Sequence, residues 1–258
     1  QELDALKKEY AHRRKTRIEN AEEAVYEEKK PEEMDIMFLM DRFGYCKTID
    51  MATYERNKEA AHTEFRYNVK CRNTGRICLF TNTGQLHTIK VADIPFGRFR
   101  DKGQPVDNIS NYSSSTEQIV NIASQSELNL YRLLFVTRQG MCKIVSGGEF
   151  DVTKRTVAAT KLGEDDELLD IEVVTEHQHM ILQSKNGYFL RFDTDEISEL
   201  KKTAVGVRGM RLGADDFIEK VYYCQPDSDG TILYKDKNVP INKLKVNKRD
   251  TKGTKIRV

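Results

Sequence analysis

One hairpin-shaped stretch recurs five times along the chain, and no other feature restricts the fold as tightly. The copies read MFLMDRFGYCKTID around Gly44, ICLFTNTGQLHTIK around Gly84, LLFVTRQGMCKIVS around Gly140, MILQSKNGYFLRFD around Gly187 and TILYKDKNVPINKL around Asn238. Each is an apolar β-favouring run, a polar turn and a second β-favouring run. Glycine at the turn supplies the positive φ that a tight hairpin needs, and asparagine, in the fifth copy, tolerates that conformation better than other residues with a side chain. The turn positions lie 40 to 56 residues apart. Several short strands within a repeat of that length predict blades rather than a solenoid of helices.

Each copy also has an outer part. A loop with basic residues and glycine follows the hairpin, seen as FRDKGQPV, TKRTVAATKL, LKKTAVGVRGMRL and KRDTKGTKIRV, and in the three middle copies an apolar strand comes next: QIVNIA, ELLDIEVV, DFIEKVYY. The expected fold is all-β, a propeller-like ring of about five four-stranded blades, closed by strands from the two chain ends sharing a blade. In residues 74–106, Asp93-Ile94-Pro95 ends the hairpin because proline cannot donate to a ladder. Residues 96–102 are then expected to be extended, with Arg98, Arg100 and Lys102 on one face.

Residues 1–26 read as a helix whose narrow stripe of Leu3, Leu6 and Tyr10 suits the end of a longer antiparallel coiled coil. Residues 27–35 form an acidic linker and 36–258 the blade domain. The chain opens in mid-helix on Gln1, so it is expected to be a fragment of a longer polypeptide. Residues 51–61 are polar and predict an irregular or helical excursion. Residues 63–73, TEFRYNVKCRN, alternate Phe65, Tyr67, Val69 and Cys71 with Arg66, Lys70 and Arg72, as an amphipathic strand with its basic side outward would. The segment NISNYSSST reads as a surface loop, and neither Gly147-Gly148 nor Gly206-x-x-Gly209 stands between a strand and a helix as a phosphate-cradling loop requires.

No run approaches the roughly 18 apolar residues of a membrane span, and there is no signal-peptide pattern. Five cysteines without a C-x-x-C pair are expected to be reduced, buried thiols in a cytoplasmic protein. The net charge of +1 conceals a segregation. Residues 36–107 carry 12 Lys+Arg against 8 Asp+Glu and residues 227–258 carry 9 against 4, while residues 108–226 carry 13 against 18. In a closed ring the two basic ends would merge into one positive sector.

Two features coincide. The helix runs into Arg13-Arg14-Lys15-Thr16-Arg17-Ile18, and an acidic linker and five hairpin copies with K-G-x-x-V or K-R-x-T loops follow. Together these resemble the end of the A subunit of the bacterial type IIA topoisomerases, DNA gyrase and topoisomerase IV. In that family a coiled coil ending in a similar Arg-Arg-Thr-x-Ile element, here with one inserted residue, leads into a C-terminal β-pinwheel. The resemblance covers essentially the whole chain. It implies a noncatalytic domain that binds and bends double-stranded DNA and guides it to the cleavage core for relaxation or decatenation.

It also implies that the strand-cleaving tyrosine lies upstream of this chain, and that ATP and Mg²⁺ are used by the parent A2B2 holoenzyme and not by this fragment. Gyrase carries a box like Q-R-R-G-G-x-G in the first blade, needed for wrapping DNA to supercoil it negatively. The corresponding place is expected at residues 64–75, which lack the double glycine. The resemblance therefore favours a topoisomerase IV-like subunit or a divergent gyrase relative that relaxes and decatenates, with a true gyrase A domain that wraps DNA for negative supercoiling as the alternative.

The candidate DNA contacts are Arg66, Lys70, Arg72, Arg76, Lys90, Arg98, Arg100 and Lys102 from the first two copies, with Lys248, Arg249, Lys252 and Lys255 near the end. Nothing in the pattern suggests base readout. A sequence pI of about 7.7 predicts weak, salt-sensitive binding confined to the basic sector. Two other classes compete. A protein-binding propeller lacks support from WD-type repeats because tryptophan is absent. A metal site would need His177 and His179 on one strand face with His87 nearby, and has no carboxylate in register.

Overall fold

The computed structural model describes residues 2–10 and 32–257. They belong to two compact units, Gln1–Glu32 and Glu33–Val258. In the first, helix α1 (Glu2–Tyr10) leaves Leu3, Leu6 and Tyr10 exposed. The remainder of the expected helix and most of the linker, including Arg13 to Ile18, lie outside the described residues.

The second unit is built from the five copies. The first contributes β1 (Asp35–Asp41), β2 (Tyr45–Asp50), α2 (Met51–Arg56), α3 (Lys58–Glu64) and β3 (Phe65–Arg72). The second contributes β4 (Arg76–Thr81), β5 (Gln85–Lys90), β6 (Gln104–Pro105) and β7 (Ile119–Ser124). The third contributes β8 (Arg132–Thr137), β9 (Met141–Ser146), β10 (Thr156–Ala158) and β11 (Leu168–Val173). The fourth contributes β12 (His179–Ser184), β13 (Tyr188–Asp193), β14 (Val207–Arg208) and β15 (Ile218–Cys224). The fifth contributes β16 (Thr231–Tyr234), β17 (Lys237–Pro240) and β18 (Thr254–Lys255).

The sheets are antiparallel and do not coincide with the copies. Their orders are β3-β1-β2-β6, β10-β5-β4-β7, β11-β8-β9-β14, β15-β12-β13-β18 and β16-β17. The last strand of a copy therefore pairs with its own hairpin, whereas the short strand before it crosses to the preceding copy and completes that sheet. Four blades reach four strands in this way. Among the described residues the fifth has two, and no described strand joins the two chain ends in one blade.

In blades 1 to 4 the first hairpin strand is buried on both faces, which explains why MFLM, ICLF and LLFV are continuous rather than alternating apolar runs, whereas β16 of blade 5 alternates and leaves Leu233 exposed. Phe38 and Met40 pack with Ile77 and Leu79 between blades 1 and 2, and Cys78 and Phe80 pack with Phe135 and Phe150 between blades 2 and 3. Leu134 and Val136 meet Leu182 and Phe192, and Ile181 and Phe189 meet Ile232 and Tyr234. The other face of blade 1, with Met37, Leu39 and Ile49, is covered by Tyr54 and Ala61 of α2 and α3. Among the described residues no buried cluster joins blade 5 to blade 1.

Three local expectations are corrected. The fifth turn is Lys235-Asp236, with φ of 44 and 63, and Asn238 pairs with Leu233 inside the hairpin. Two of the three apolar strands after the loops, β7 and β11, are not outer strands: together with β3 they line a cleft of about 640 Å³ with Asn121, Ile171 and Asn68. His177 is not on a strand but at a left-handed position with φ 54. His179 is buried beside Arg191, whose Nε lies 3.1 Å from its Nδ1. Burial, and then the Arg191 charge, lower the His179 pKa. His87 sits in blade 2 and bonds Glu117 at 2.8 Å.

Four cysteines are buried, and burial pushes the Cys46, Cys71, Cys78 and Cys142 thiols up to about 12. They behave as small core hydrophobes.

Arg191 ties blade 5 to blade 4. Its guanidinium donates to the carbonyls of Ile241 at 2.9 Å, Pro226 at 2.7 Å and Gln225 at 3.3 Å. Arg191→Met would leave three carbonyls without that donor, so a loss of about 2–4 kcal/mol is expected in urea unfolding. A loss within experimental error would show that blade 5 docks through its apolar cluster alone.

Candidate nucleic-acid interface

The edge of each blade opposite the cleft carries a loop with a common plan. In blades 1, 3 and 4 the loop enters through one parallel bridge, Thr48 with Phe96, Ile144 with Glu199 and Arg191 with Val246. In blade 2 the Thr88 amide donates to Arg155 O at 2.8 Å. Each loop then turns and runs back as the short antiparallel strand β6, β10, β14 or β18. The residues between entry and return are the basic ones.

In blade 1 these are Arg98, Arg100 and Lys102, all exposed. They are not on an extended strand. Asp101 closes a turn by accepting from the Arg98 amide at 2.7 Å, while its own amide donates to Arg98 O at 3.1 Å. An Asp at this offset offers the backbone a local partner that competes with strand pairing. The three cations face solvent around a turn, and Lys102 Nζ lies 4.2 Å from the Tyr45 ring centroid. Blade 4 repeats this contact with Lys252 at 4.6 Å from the Tyr188 ring. Lys248 and Lys255 are exposed on the same loop, but Arg249 is half-buried, donating to Glu196 O at 3.0 Å and Arg208 O at 3.2 Å.

The glycines after the two stacking lysines cannot be replaced freely. Gly103 and Gly253 both have φ +76, and a Cβ would lie 2.2 Å from Cys46 O and 2.4 Å from Phe189 O respectively. The rim strand presses its backbone against the hairpin there, which is the physical content of K-G-x-x-V.

Between these two sequence-derived patches stand residues that the sequence reading passed over. Blade 2 presents Lys154 and Arg155, and blade 3 presents Lys201, Arg208 and Arg211, all exposed. Their loops, TKRTVAATKL and LKKTAVGVRGMRL, read as basic in the sequence, but residues 108–226 are net acidic as a whole, and the sum over that segment keeps them out of the candidate contacts. The rim is continuous. Asn111 donates to Thr156 Oγ1 at 3.0 Å, the Lys161 amide to Lys202 O at 3.1 Å, and the Arg211 amide to Thr251 O at 2.9 Å, joining each loop to the next.

Charge along this band is uneven. Arg98, Arg100, Lys102, Lys154, Arg155, Lys248, Lys252 and Lys255 form no ion pair among the described residues. In contrast, Lys201 lies 3.6 Å from Glu149, and Arg208 and Arg211 lie 3.5 and 3.6 Å from Asp250. The blade 3 section is therefore partly neutralised.

The remaining candidates lie elsewhere. Arg66, Lys70 and Arg72 are exposed as expected, but on β3, at the cleft edge. Lys70 pairs with Asp35 at 2.8 Å, an interaction that lowers the Asp35 pKa and raises that of Lys70, and Arg72 pairs with Glu33 at 2.9 Å. Arg76 and Lys90 stand opposite each other at the end of the blade 2 hairpin away from its turn. Among the described residues no group of three or more His, Cys, Asp or Glu is placed to hold a metal ion. No described helix is long and apolar enough to cross a membrane.

Blades that exchange edge strands between successive repeats define a β-pinwheel. The family described as the DNA gyrase C-terminal domain, a β-propeller, matches residues 131–175 and 178–225. The DNA gyrase A subunit of Helicobacter pylori strain J99 is 27% identical over 241 residues, covering 88% of this chain and 29% of that protein. The chain thus spans about three-tenths of the length of the curated relatives it matches. The C-terminal domain of DNA topoisomerase IV superposes with a TM-score of 0.75 at 23% identity, over 88% of this chain and 74% of that one. The E. coli ParC C-terminal domain gives 0.68 at 14%, over 86% and 94%. The chain is thus similar in sequence to the C-terminal domain of DNA gyrase A subunits and shares its fold with the C-terminal domains of topoisomerase IV and ParC.

Proposed function

We propose that this domain binds double-stranded DNA along the outer edges of blades 1 to 4, bends it, and delivers it to the cleavage core of an ATP-dependent type II topoisomerase. The observation that carries this reading is the band of basic loops at one register on successive blades, joined edge to edge. Cations spaced along an edge that turns from blade to blade suit a duplex bent across several blades. Smooth bending of a short site costs on the order of 1–6 kcal/mol, which phosphate contacts with counterion release can offset. Exposed lysines and arginines without a groove-reading helix favour contact with phosphates over bases.

The domain itself is noncatalytic in this proposal. The cleaving tyrosine, ATP and Mg²⁺ belong to other parts of a cytoplasmic, nucleoid-associated A2B2 holoenzyme. A topoisomerase IV-like role in relaxation and decatenation is favoured over supercoiling by residues 51–64. In every later copy the segment after the hairpin supplies a rim strand to the preceding blade. In the first copy it contains no glycine, folds as α2 and α3, and covers its own blade. By topology this segment, rather than residues 64–75, corresponds to the place of a first-blade wrapping box.

Ligation of nicked circular DNA in the presence of the chain at low salt tests the reaction class. The expected result is gel retardation without a topoisomer shift after the protein is removed. A shift that grows with protein would mean chiral wrapping, and the supercoiling gyrase reading would replace this one.

A further inference from the structure

Two lysines occupy one position of the repeat, three residues after the hairpin glycine: Lys47 after Gly44 and Lys143 after Gly140. Their exposures are 2% and 1%. A buried ammonium is unfavourable unless its donors are satisfied. Here the partners are backbone carbonyls of a rim loop brought in by the following copy. Lys47 Nζ donates to Phe99 O and, at 2.5 Å, to Asp101 O. Lys143 Nζ donates to Lys201 O at 3.3 Å, Lys202 O at 2.8 Å and Ala204 O at 2.6 Å. Neither forms an ion pair among the described residues.

We infer that Lys47 and Lys143 are positioning residues of the nucleic-acid rim, buried clamps that hold the loop backbones so that the basic side chains face outward. The inference rests on the DNA-binding reading above. In blade 1 the clamped carbonyls, 99 and 101, alternate with Arg98, Arg100 and Lys102. Turning those carbonyls inward leaves the three cations on the solvent side. Carbonyl dipoles, rather than a carboxylate in direct contact, satisfy each ammonium.

The other blades solve the same problem differently. His87 takes the position in blade 2 and meets Thr156 Oγ1 at 3.0 Å on the rim strand. Leu190 takes it in blade 4, where Arg249 holds the loop instead. The clamp is therefore specific to blades 1 and 3, and its effect is local.

Lys47→Met, which keeps the unbranched apolar stem and removes the terminal ammonium, is the test, read by a duplex-binding salt series beside a thermal melt of the same chain. The slope of log affinity against log salt is expected to fall by about two to three, close to 0.9 for each displaced phosphate contact. Adding R98E, R100E and K102E to this variant should then lower the slope less than the same three changes do in the parent chain. Destabilisation alone would reduce the active fraction and leave the slope of the folded molecules unchanged. A folded Lys47→Met with the parental slope overturns the inference.

If Lys47→Met does not fold, Lys143→Met reads the effect at blade 3, with a slope change of about one because Glu149 also engages Lys201 and Lys202. Lys47→Leu and Lys143→Leu, which also lack a donor but differ in shape, serve where neither methionine variant folds, and an unchanged slope in a folded variant again overturns the clamp. Should R98E, R100E and K102E leave the parental chain's binding untouched, the DNA reading fails first.

Discussion

Reversal of Arg98, Arg100 and Lys102 to glutamate in one chain is expected to weaken duplex binding by about 10²- to 10³-fold near 0.1 M salt. Three phosphate contacts contribute about 2.7 to the salt slope, and that slope should be missing from the variant. The chain should stay folded, because all three side chains are exposed and none forms an ion pair among the described residues. The backbone turn that carries them is held by Asp101 and Lys47, which the substitutions leave in place. The matched control is R66E, K70E and R72E on the cleft edge. Exposed pairs such as Lys70 with Asp35 are typically worth about 0–1 kcal/mol, so this control should also fold. It should retain most of its affinity and salt slope. Equal losses in the two triple variants would mean that net charge, not the rim, governs binding.

Gly103→Ala is expected to cost about 2–4 kcal/mol, more than its position in a surface loop suggests. The positive φ accounts for about 1 kcal/mol. The larger part comes from placing a methyl 2.2 Å from Cys46 O, a backbone atom inside the core hairpin that cannot move aside. The upper limit is set by release of the loop, which would strip β6 from β2 and uncover the edge of blade 1. Denaturant titration measures the loss, and amide exchange at Gln104 and Val106, whose amide donates to Gly44 O at 2.8 Å, locates it. A change below about 0.5 kcal/mol would mean that the rim strand adds nothing to stability.

The blades were legible because a strand buried on both faces leaves a continuous apolar run and a hairpin leaves its turn residues. These signals are local, and they repeated. Strand exchange was not legible: β6, β14 and β18 have two residues each, too few for any periodicity, and their pairing partners lie some sixty residues away. The fifth turn was misplaced because Lys235 and Asp236 adopt positive φ without glycine, a state imposed by the flanking pairs rather than by propensity. Alternation placed Arg98, Arg100 and Lys102 on one face, and a single aspartate converted that strand to a turn while keeping all three exposed. Lys154, Arg155, Lys201 and Arg208 were missed because charge was summed along the chain, whereas the rim gathers it across blades.

Edge-strand exchange has an evolutionary consequence. Because each of blades 1 to 4 borrows its last strand from its successor, excising one internal copy would damage two blades and leave an unmatched donor beside an unmatched acceptor. Repeat number in such an array can change with little penalty only at the terminal blade, where the hairpin β16-β17 has no successor among the described residues. The same interlocking makes folding a property of the whole series, so a lesion in one rim loop is felt by its neighbour's hairpin as well as its own.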